Sequence, residues 1–403
     1  MRFSPAWLRA AGLAAAGVTV VACAASAPPG GAPRSTAPAR SASAATSAAP
    51  DPSTARPETT QAAAAGLSAA QLAGQRVIFS YAGQNPPAAL LSLIAHGEVA
   101  GVIFFTGNIA SEGQLAGVIR QLDAADAAAT NPVRTPLLLM TDQEGGVVRR
   151  LPGAPFQSEK QVGESGNPAA AARTAGTEAA ANLRGVGMNV NLAPVLDVYR
   201  SAGDFDDQFG RSYSSNPKTA AELGADYIAA QQAGGVAATA KHFPGLGAAA
   251  TKQDTDLMPV TLNVPAATLR AVDELPYPAA ISARVKLVMV SWAVYPALDP
   301  ARPAGLSAAI VQGELRGRLG FGGVTITDAL EADALNPYGS FAHRALLAAQ
   351  AGMDLILCSA QSTAEGEQCL AGLEGGYHTG ALPRVGFQAA AARVMALRAS
   401  LPR

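Results

Sequence analysis

Gly235-Val236-Ala237-Ala238-Thr239-Ala240-Lys241-His242-Phe243-Pro244-Gly245-Leu246-Gly247 is the stretch on which the reading of the fold turns. Its first half, residues 236–240, is a run of small and β-branched side chains suited to a buried strand. A cation and an imidazole stand where the apolar run stops, and Pro244, Gly245 and Gly247 then force an irregular turn. The loop beyond carries Asp254-Thr255-Asp256. A strand that ends in Lys-His and opens into a Gly-rich acidic loop is where an α/β barrel places its chemistry. Taken alone, the stretch reads equally well as a Pro/Gly turn with solvated charges. The other strand ends decide between the two.

Working outward, eight short apolar runs read as strands: Val77–Ser80, Gly101–Phe105, Leu137–Thr141, Met188–Leu192, Val236–Ala240, Leu287–Ser291, Gly323–Thr327 and Asp354–Cys358. Segments with helical content lie between them, among them Ala169–Arg184, Pro217–Ala233 and Ser307–Leu319. Continuous rather than alternating apolar strands indicate a parallel sheet covered on both faces. Eight of them in one domain point to a (β/α)8 TIM barrel, a single catalytic domain, rather than an open doubly wound sheet. No G-x-G-x-x-G follows the first strand and no G-x-x-x-x-G-K-[ST] occurs, so nucleotide-phosphate folds lose their fingerprint, and no cofactor is expected.

The domain is expected to span residues 67–403. Before it, Arg2 and Arg9 give a short basic start, and residues 10–22 form an apolar run too short to remain as a membrane span. That run ends in Val20-Val21-Ala22-Cys23, which resembles the lipobox of bacterial lipoprotein signal peptides. The resemblance implies a signal peptide over residues 1–22 and a lipidated Cys23; the alternative is an ordinary secretory signal with an incidental Cys. Residues 23–66 are Ala, Pro, Ser and Thr with hardly a large apolar side chain, a composition expected of a disordered tether. The expected location is the outer face of the cell membrane, anchored through Cys23. Acidic and basic residues nearly balance, 30 against 29, and no basic stretch is interleaved with aromatics, which argues against nucleic acid as partner. A monomer is expected.

Polar groups just after the strands should converge on one mouth. The third strand is followed by Asp142-Gln143-Glu144-Gly145-Gly146-Val147-Val148-Arg149-Arg150, and the fourth by Ala193-Pro194-Val195-Leu196-Asp197, with Gly210-Arg211-Ser212-Tyr213 in its long loop. The fifth gives Lys241 and His242, the seventh Asp328. Carboxylates, arginines, a lysine and a histidine without cysteine suit a polyhydroxylated ligand, whose hydroxyls such groups clamp in pairs.

Asp142-Gln143-Glu144-Gly145-Gly146, Asn191-Leu192-Ala193-Pro194-Val195-Leu196-Asp197, Lys241-His242-Phe243-Pro244-Gly245 and Ile326-Thr327-Asp328-Ala329-Leu330 together resemble glycoside hydrolase family 3, in particular its single-domain bacterial β-N-acetylglucosaminidases. Leu306–Val324 and Gly74-Gln75-Arg76 extend the similarity over roughly residues 67–400. The resemblance implies that Asp328 is the nucleophile of a retaining mechanism, where its residue type alone would equally suit a helix N-cap. It implies that Asp142, Arg150, Arg211, Lys241 and His242 hold the sugar in the −1 subsite, and that Asp197 binds the sugar or supports its loop.

The departure falls at the general acid/base. This branch of the family usually has Lys-His-Phe-Pro-Gly-His-Gly followed by Asp-Ser/Thr-His, whose last His protonates the leaving group. Here Leu246 replaces the first of those histidines and Asp256 the last, and the chain has only His96, His242, His343 and His378. Asp256, with Asp254 beside it, is the expected acid/base, because a neighbouring carboxylate or burial can lift an Asp into that role. The resemblance thus implies a retaining exo-acting β-N-acetylglucosaminidase acting on cell-wall-derived or related glycans. A β-glucosidase, a phosphorylase and a sugar-binding lipoprotein without activity stand as alternatives.

Cys358 and Cys369 flank a short segment at the end of the eighth strand. In an exported protein the pair reads as a disulfide closing that loop, with two buried free thiols as the alternative. No metal site is read, since no His or Cys partner has ligand spacing.

Overall fold

The computed structural model describes residues 64–402. The lipobox with Cys23 and the signal peptide lie outside the described residues, as does the tether up to residue 63. Ala64 is fully buried in the core, so the ordered domain begins ahead of Leu67. Ser68 then caps the helix Ala69–Gly74, its hydroxyl accepting the Gln71 N–H at 3.1 Å while the Gln71 side chain accepts the Ser68 N–H at 3.0 Å.

Eight parallel strands close into a barrel: β1 (Val77–Phe79), β2 (Gly101–Ile103), β3 (Leu138–Thr141), β4 (Val190–Asn191), β5 (Ala237–Phe243), β6 (Leu287–Val290), β7 (Val324–Ala329) and β8 (Leu355–Leu357). Each pairs with its neighbours in chain order and β8 closes on β1, with Val77 opposite Ile356. All eight expected runs are strands of this barrel.

Side chains alternate between two cores, as the pleat requires. Ile78, Ile103, Leu138, Met140, Val190, Leu287, Met289, Ile326 and Leu355 pack together as one cluster, with Val394 and Leu397 of the last helix, Arg384–Ser400, against it. Val77, Phe79, Val102, Leu139, Ala238, Val288 and Ile356 belong to the larger cluster shared with the surrounding helices. The expected helices are found at Pro168–Val186, Pro217–Ala233 and Ala309–Arg318. None of the described helices is long and apolar enough to cross a membrane.

Two strand ends differ from expectation in a way that matters. β5 runs on through Lys241, His242 and Phe243, because Phe243 pairs with Val290 beyond a register shift. Likewise β7 continues through Asp328 and Ala329. Asp328 therefore stands in a strand, and its reading as a helix N-cap falls away. Cys358 follows β8, but Cys369 lies within helix Thr363–Thr379 rather than in a loop. Both are buried free thiols with sulfurs 2.7 Å apart. The two sulfurs thus join strand end to helix, and the expected loop closure does not describe their setting.

Candidate active site

At the C-terminal ends of β3, β4 and β5 the charged side chains form one continuous ladder. Arg150 Nε stands 3.9 Å from Asp142 Oδ2, and Lys241 Nζ donates to Asp142 Oδ1 at 2.9 Å. The same ammonium lies 2.7 Å from Glu144 Oε1. Glu144 also receives Arg211 through two parallel bonds, Nε at 2.8 Å and an Nη at 2.9 Å, and the other Nη donates to Asp206 Oδ1 at 2.7 Å. Asp197 Oδ2 is 2.6 Å from His242 Nδ1, and its Oδ1 accepts the Leu246 and His242 backbone N–H groups at 2.6 and 3.3 Å.

The alternation of sign lets so many charges be buried together. Burial would push Glu144 toward neutrality, but Arg211 and Lys241 overcome it and hold its carboxyl far below the usual range. Burial likewise opposes the charge of Lys241, yet Asp142 and Glu144 raise its pKa. At the far end burial wins: Asp197 and Asp206 are each pushed up to about 6. Asp206 Oδ2 is buried with no other partner, and the two carboxyls share a hydrogen bond. One proton between them satisfies both oxygens. Asp197 accepts the Leu246 and His242 backbone N–H groups, which favour its charged form, so of the two carboxyls it is the better placed to be the anion. Burial lowers the pKa of His242, which leaves a neutral imidazole. With Asp197 ionised, Nδ1–H is the donor and Nε2 is left to accept from a ligand.

Asp197, Asp206 and His242 each offer a donor atom within 4.8 Å of the others, a set that could take a metal ion. Most of its lone pairs are already engaged, with Arg211 donating to Asp206 and three N–H groups to Asp197. The geometry is that of a hydrogen-bond network.

The turn after β5 is shaped by close backbone packing. A Cβ on Gly247 would meet the Val198 carbonyl oxygen at 2.1 Å, and Gly245, at φ 143°, stands against Asp273. Tyr295 Oη donates to the Gly245 carbonyl at 2.9 Å. Across the mouth, the end of β7 is fixed by Trp292 Nε1, which donates to the Ala329 carbonyl at 2.8 Å. Asp328 Oδ1 accepts the Ala329 N–H at 2.8 Å.

The loop with Asp254 and Asp256 is clipped to the segment beyond β7. Asp333 N–H donates to the Asp256 carbonyl at 3.0 Å and Ala334 N–H to the Thr255 carbonyl at 3.2 Å. Asp254 Oδ1 accepts the Asp256 N–H at 2.9 Å, so Asp254 shapes the loop through the backbone. Asp256 keeps solvent contact, yet protein crowds its carboxyl and the charges of Asp328, Asp254 and Glu331 add to that, pushing its pKa well up. Because Asp256 is exposed, solvent discounts both the crowding and the pull of the three nearby anions. Crowding raises Asp254 as well.

The catalytic and sugar-binding residues expected from the sequence thus stand at this mouth, while Cys23 falls outside the described residues and Cys358 and Cys369 lie buried behind the end of β8; Glu144, Asp206, Glu331 and Glu365 were passed over. Glu144 lay in plain view two residues after Asp142. Asp206 sits in an irregular loop whose sequence, Asp204-Phe205-Asp206-Asp207, marks none of its acids as buried.

A closed barrel with a clamp of alternating charges at the C-terminal ends of its strands has its buried charges where barrel enzymes keep their active site. The chain belongs to glycosyl hydrolase family 3: residues 67–397 match the family's N-terminal domain. An uncharacterized secreted glycosyl hydrolase of Arthroderma benhamiae is 43% identical over 338 residues, covering 84% of this chain and 95% of that one. A beta-hexosaminidase of Thioalkalivibrio sulfidiphilus is 36% identical over 66% of this chain and 75% of its own. Among solved structures, a β-N-acetylhexosaminidase of Beutenbergia cavernae superimposes with TM-score 0.75 at 33% identity, over 83% of this chain and 99% of that one. A family 3 β-N-acetylglucosaminidase of Paenibacillus sp. gives TM-score 0.77 at 32% identity over 83% of this chain, which spans 63% of that protein.

Proposed function

We propose that this glycoside hydrolase is a retaining, exo-acting β-N-acetylglucosaminidase that releases terminal N-acetylglucosamine from cell-wall-derived or related glycans. The carrying observation is the placement of Asp328 at the end of β7, facing an acid loop whose Asp256 is surrounded by other carboxylates. Relatives described as beta-hexosaminidases and β-N-acetylglucosaminidases support the choice of sugar.

In this reading the ladder from Arg150 to His242 holds the hydroxyls and acetamido group of the terminal sugar. Asp328 attacks the anomeric carbon as Asp256 gives its proton to the departing oxygen. Loss of the Asp328 charge in the glycosyl-enzyme removes one of the anions that raised Asp256. The carboxylate left behind then takes a proton from water, and water cleaves the ester with net retention.

The site stands on the outer face of the cell membrane in this proposal, held by a lipidated Cys23, and works as a monomer. The deciding assay compares p-nitrophenyl β-N-acetylglucosaminide with the β-glucoside, with and without phosphate. Release from the first alone, unchanged by phosphate, supports the proposal. Preference for the glucoside, dependence on phosphate, or binding without release would each replace it by the corresponding alternative.

A further inference from the structure

Glu331 follows Asp328 by three residues and leaves the same strand end, yet the chemistry above does not use it. Its carboxylate is held from β8: Ser359 Oγ lies 2.9 Å from Oε1 and 3.0 Å from Oε2, and the Ser359 N–H donates to Oε2 at 3.3 Å. From the following helix the buried Glu365 hydrogen-bonds to it, and Glu365 itself accepts the Ala360 N–H at 2.7 Å. Burial foremost, then the charge of Glu331, pushes Glu365 up to about 9. Burial raises Glu331 as well, and of the two it is Glu365 that holds its proton to the higher pH, which leaves the negative charge of the pair on Glu331. A carboxylate fastened by a hydroxyl, a backbone N–H and a carboxylic acid is fixed in place far more firmly than a solvated Glu.

The clip between loops brings the acid loop close to the segment that carries Glu331. The hydrogen bonds from Asp333 and Ala334 to the carbonyls of Asp256 and Thr255 bring the acid loop against the segment that begins with Glu331. The charges that act on Asp256 are Asp328 and Glu331 from the β7 end, Asp254 from its own loop and Arg211 from the β4 loop, the last of opposite sign. Those acting on Glu331 itself include Asp328, and Arg344 lies within its field.

We infer that Glu331 is a positioning residue for the reaction: clamped by Ser359 and Glu365, its fixed negative charge keeps the proton on Asp256 until a leaving group takes it. The inference rests on the proposed role of Asp256. Asp328 cannot serve this purpose throughout, because its charge disappears in the covalent intermediate. Glu331 keeps its charge in both half-reactions, so it also supports Asp256 as the base that deprotonates water.

The test is the pH profile of kcat/KM with phenyl β-N-acetylglucosaminide, whose leaving group needs a proton. A neighbouring anion raises the pKa of an acid, and the acid sets the alkaline limb. In Glu331→Gln that limb is expected to move to lower pH by about one unit, the size typical of one nearby charge. Glu331→Asp keeps the charge and is expected to hold the limb near its original place. Ser359→Ala, which loosens the clamp without altering charge, should move it part of the way. An alkaline limb unmoved in Glu331→Gln, with Asp256→Asn abolishing that limb, would overturn the inference while sparing the role of Asp256. A limb that survives in Asp256→Asn would instead remove the reading on which the inference stands. If Glu331 were only a brace between β7 and β8, both Glu331 variants would lose activity equally at every pH, and that result too would overturn it.

Discussion

The N–H of Asp333 donates to the backbone carbonyl of Asp256 at 3.0 Å. This bond ties the loop with the proposed acid to the chain just beyond Asp328, the proposed nucleophile, so the distance between the two does not depend on a free loop. Any change that cuts the clip is expected to slow steps that need both carboxyls. Asp333→Pro removes that donor and should lower turnover of phenyl β-N-acetylglucosaminide more than that of the p-nitrophenyl substrate; equal losses on both would argue against the clip.

In the proposed mechanism the two carboxyls make separable demands on the two half-reactions. Asp328→Ala should abolish turnover of every substrate, since no glycosyl-enzyme can form. Asp256→Ala should spare glycosylation by the activated p-nitrophenyl substrate and stall afterwards, with azide restoring turnover and giving the β-glycosyl azide. Rescue in neither variant, with no difference between leaving groups, would mean that the proton comes from another group.

Glu144 is wedged between two buried cations, Lys241 at 2.7 Å and Arg211 at 2.8 Å. Glu144→Gln leaves those cations facing one another across a neutral amide. Removing one member of a buried ion network costs about 3–5 kcal/mol, so urea denaturation should show a large drop in stability with the slope unchanged. A variant as stable as the parent would contradict the ladder.

Glu365 makes stability depend on pH. Its folded pKa, about 9, lies above the unfolded value of about 4.3. Because the folded state binds the proton more tightly, this stabilisation is full in acid and fades as pH rises toward 9. Tm should therefore fall between pH 5 and pH 9, and Glu365→Gln, which is neutral throughout, should show a shallower fall. Identical slopes would show that Glu365 is ionised in the fold.

Cys358 and Cys369 are close enough to be joined by oxidation with little movement. We propose that they are bridged in exported protein; a non-reducing peptide map should then link them. Two alkylatable thiols in that protein under denaturing, non-reducing conditions would establish the free pair instead.

The barrel was legible because its strands are buried on both faces and therefore read as unbroken apolar runs. Lys241, His242 and Asp328 were legible because polar residues interrupt those runs at their C-terminal ends. What escaped depended on contacts between loops. Nothing in residues 204–207 tells a buried Asp206 from its neighbours, and Glu331 looks like any acid after a strand until Ser359 and Glu365 are brought to it by β8. The span of β5 was underestimated because Lys241 and His242 look like solvated residues, whereas the charges around them let the strand carry them inside.

The ladder of charges draws all its members from β3, β4 and β5, while Asp328 stands on β7 and the acid loop leans on the chain beyond it. In the proposed mechanism, recognition and reaction therefore occupy opposite banks of the mouth. On that proposal, an exchange of the proton donor, such as Asp256 standing where the resembled branch has a histidine, would leave the sugar clamp undisturbed. A lineage can trial a new acid on such a scaffold without first losing its grip on the substrate.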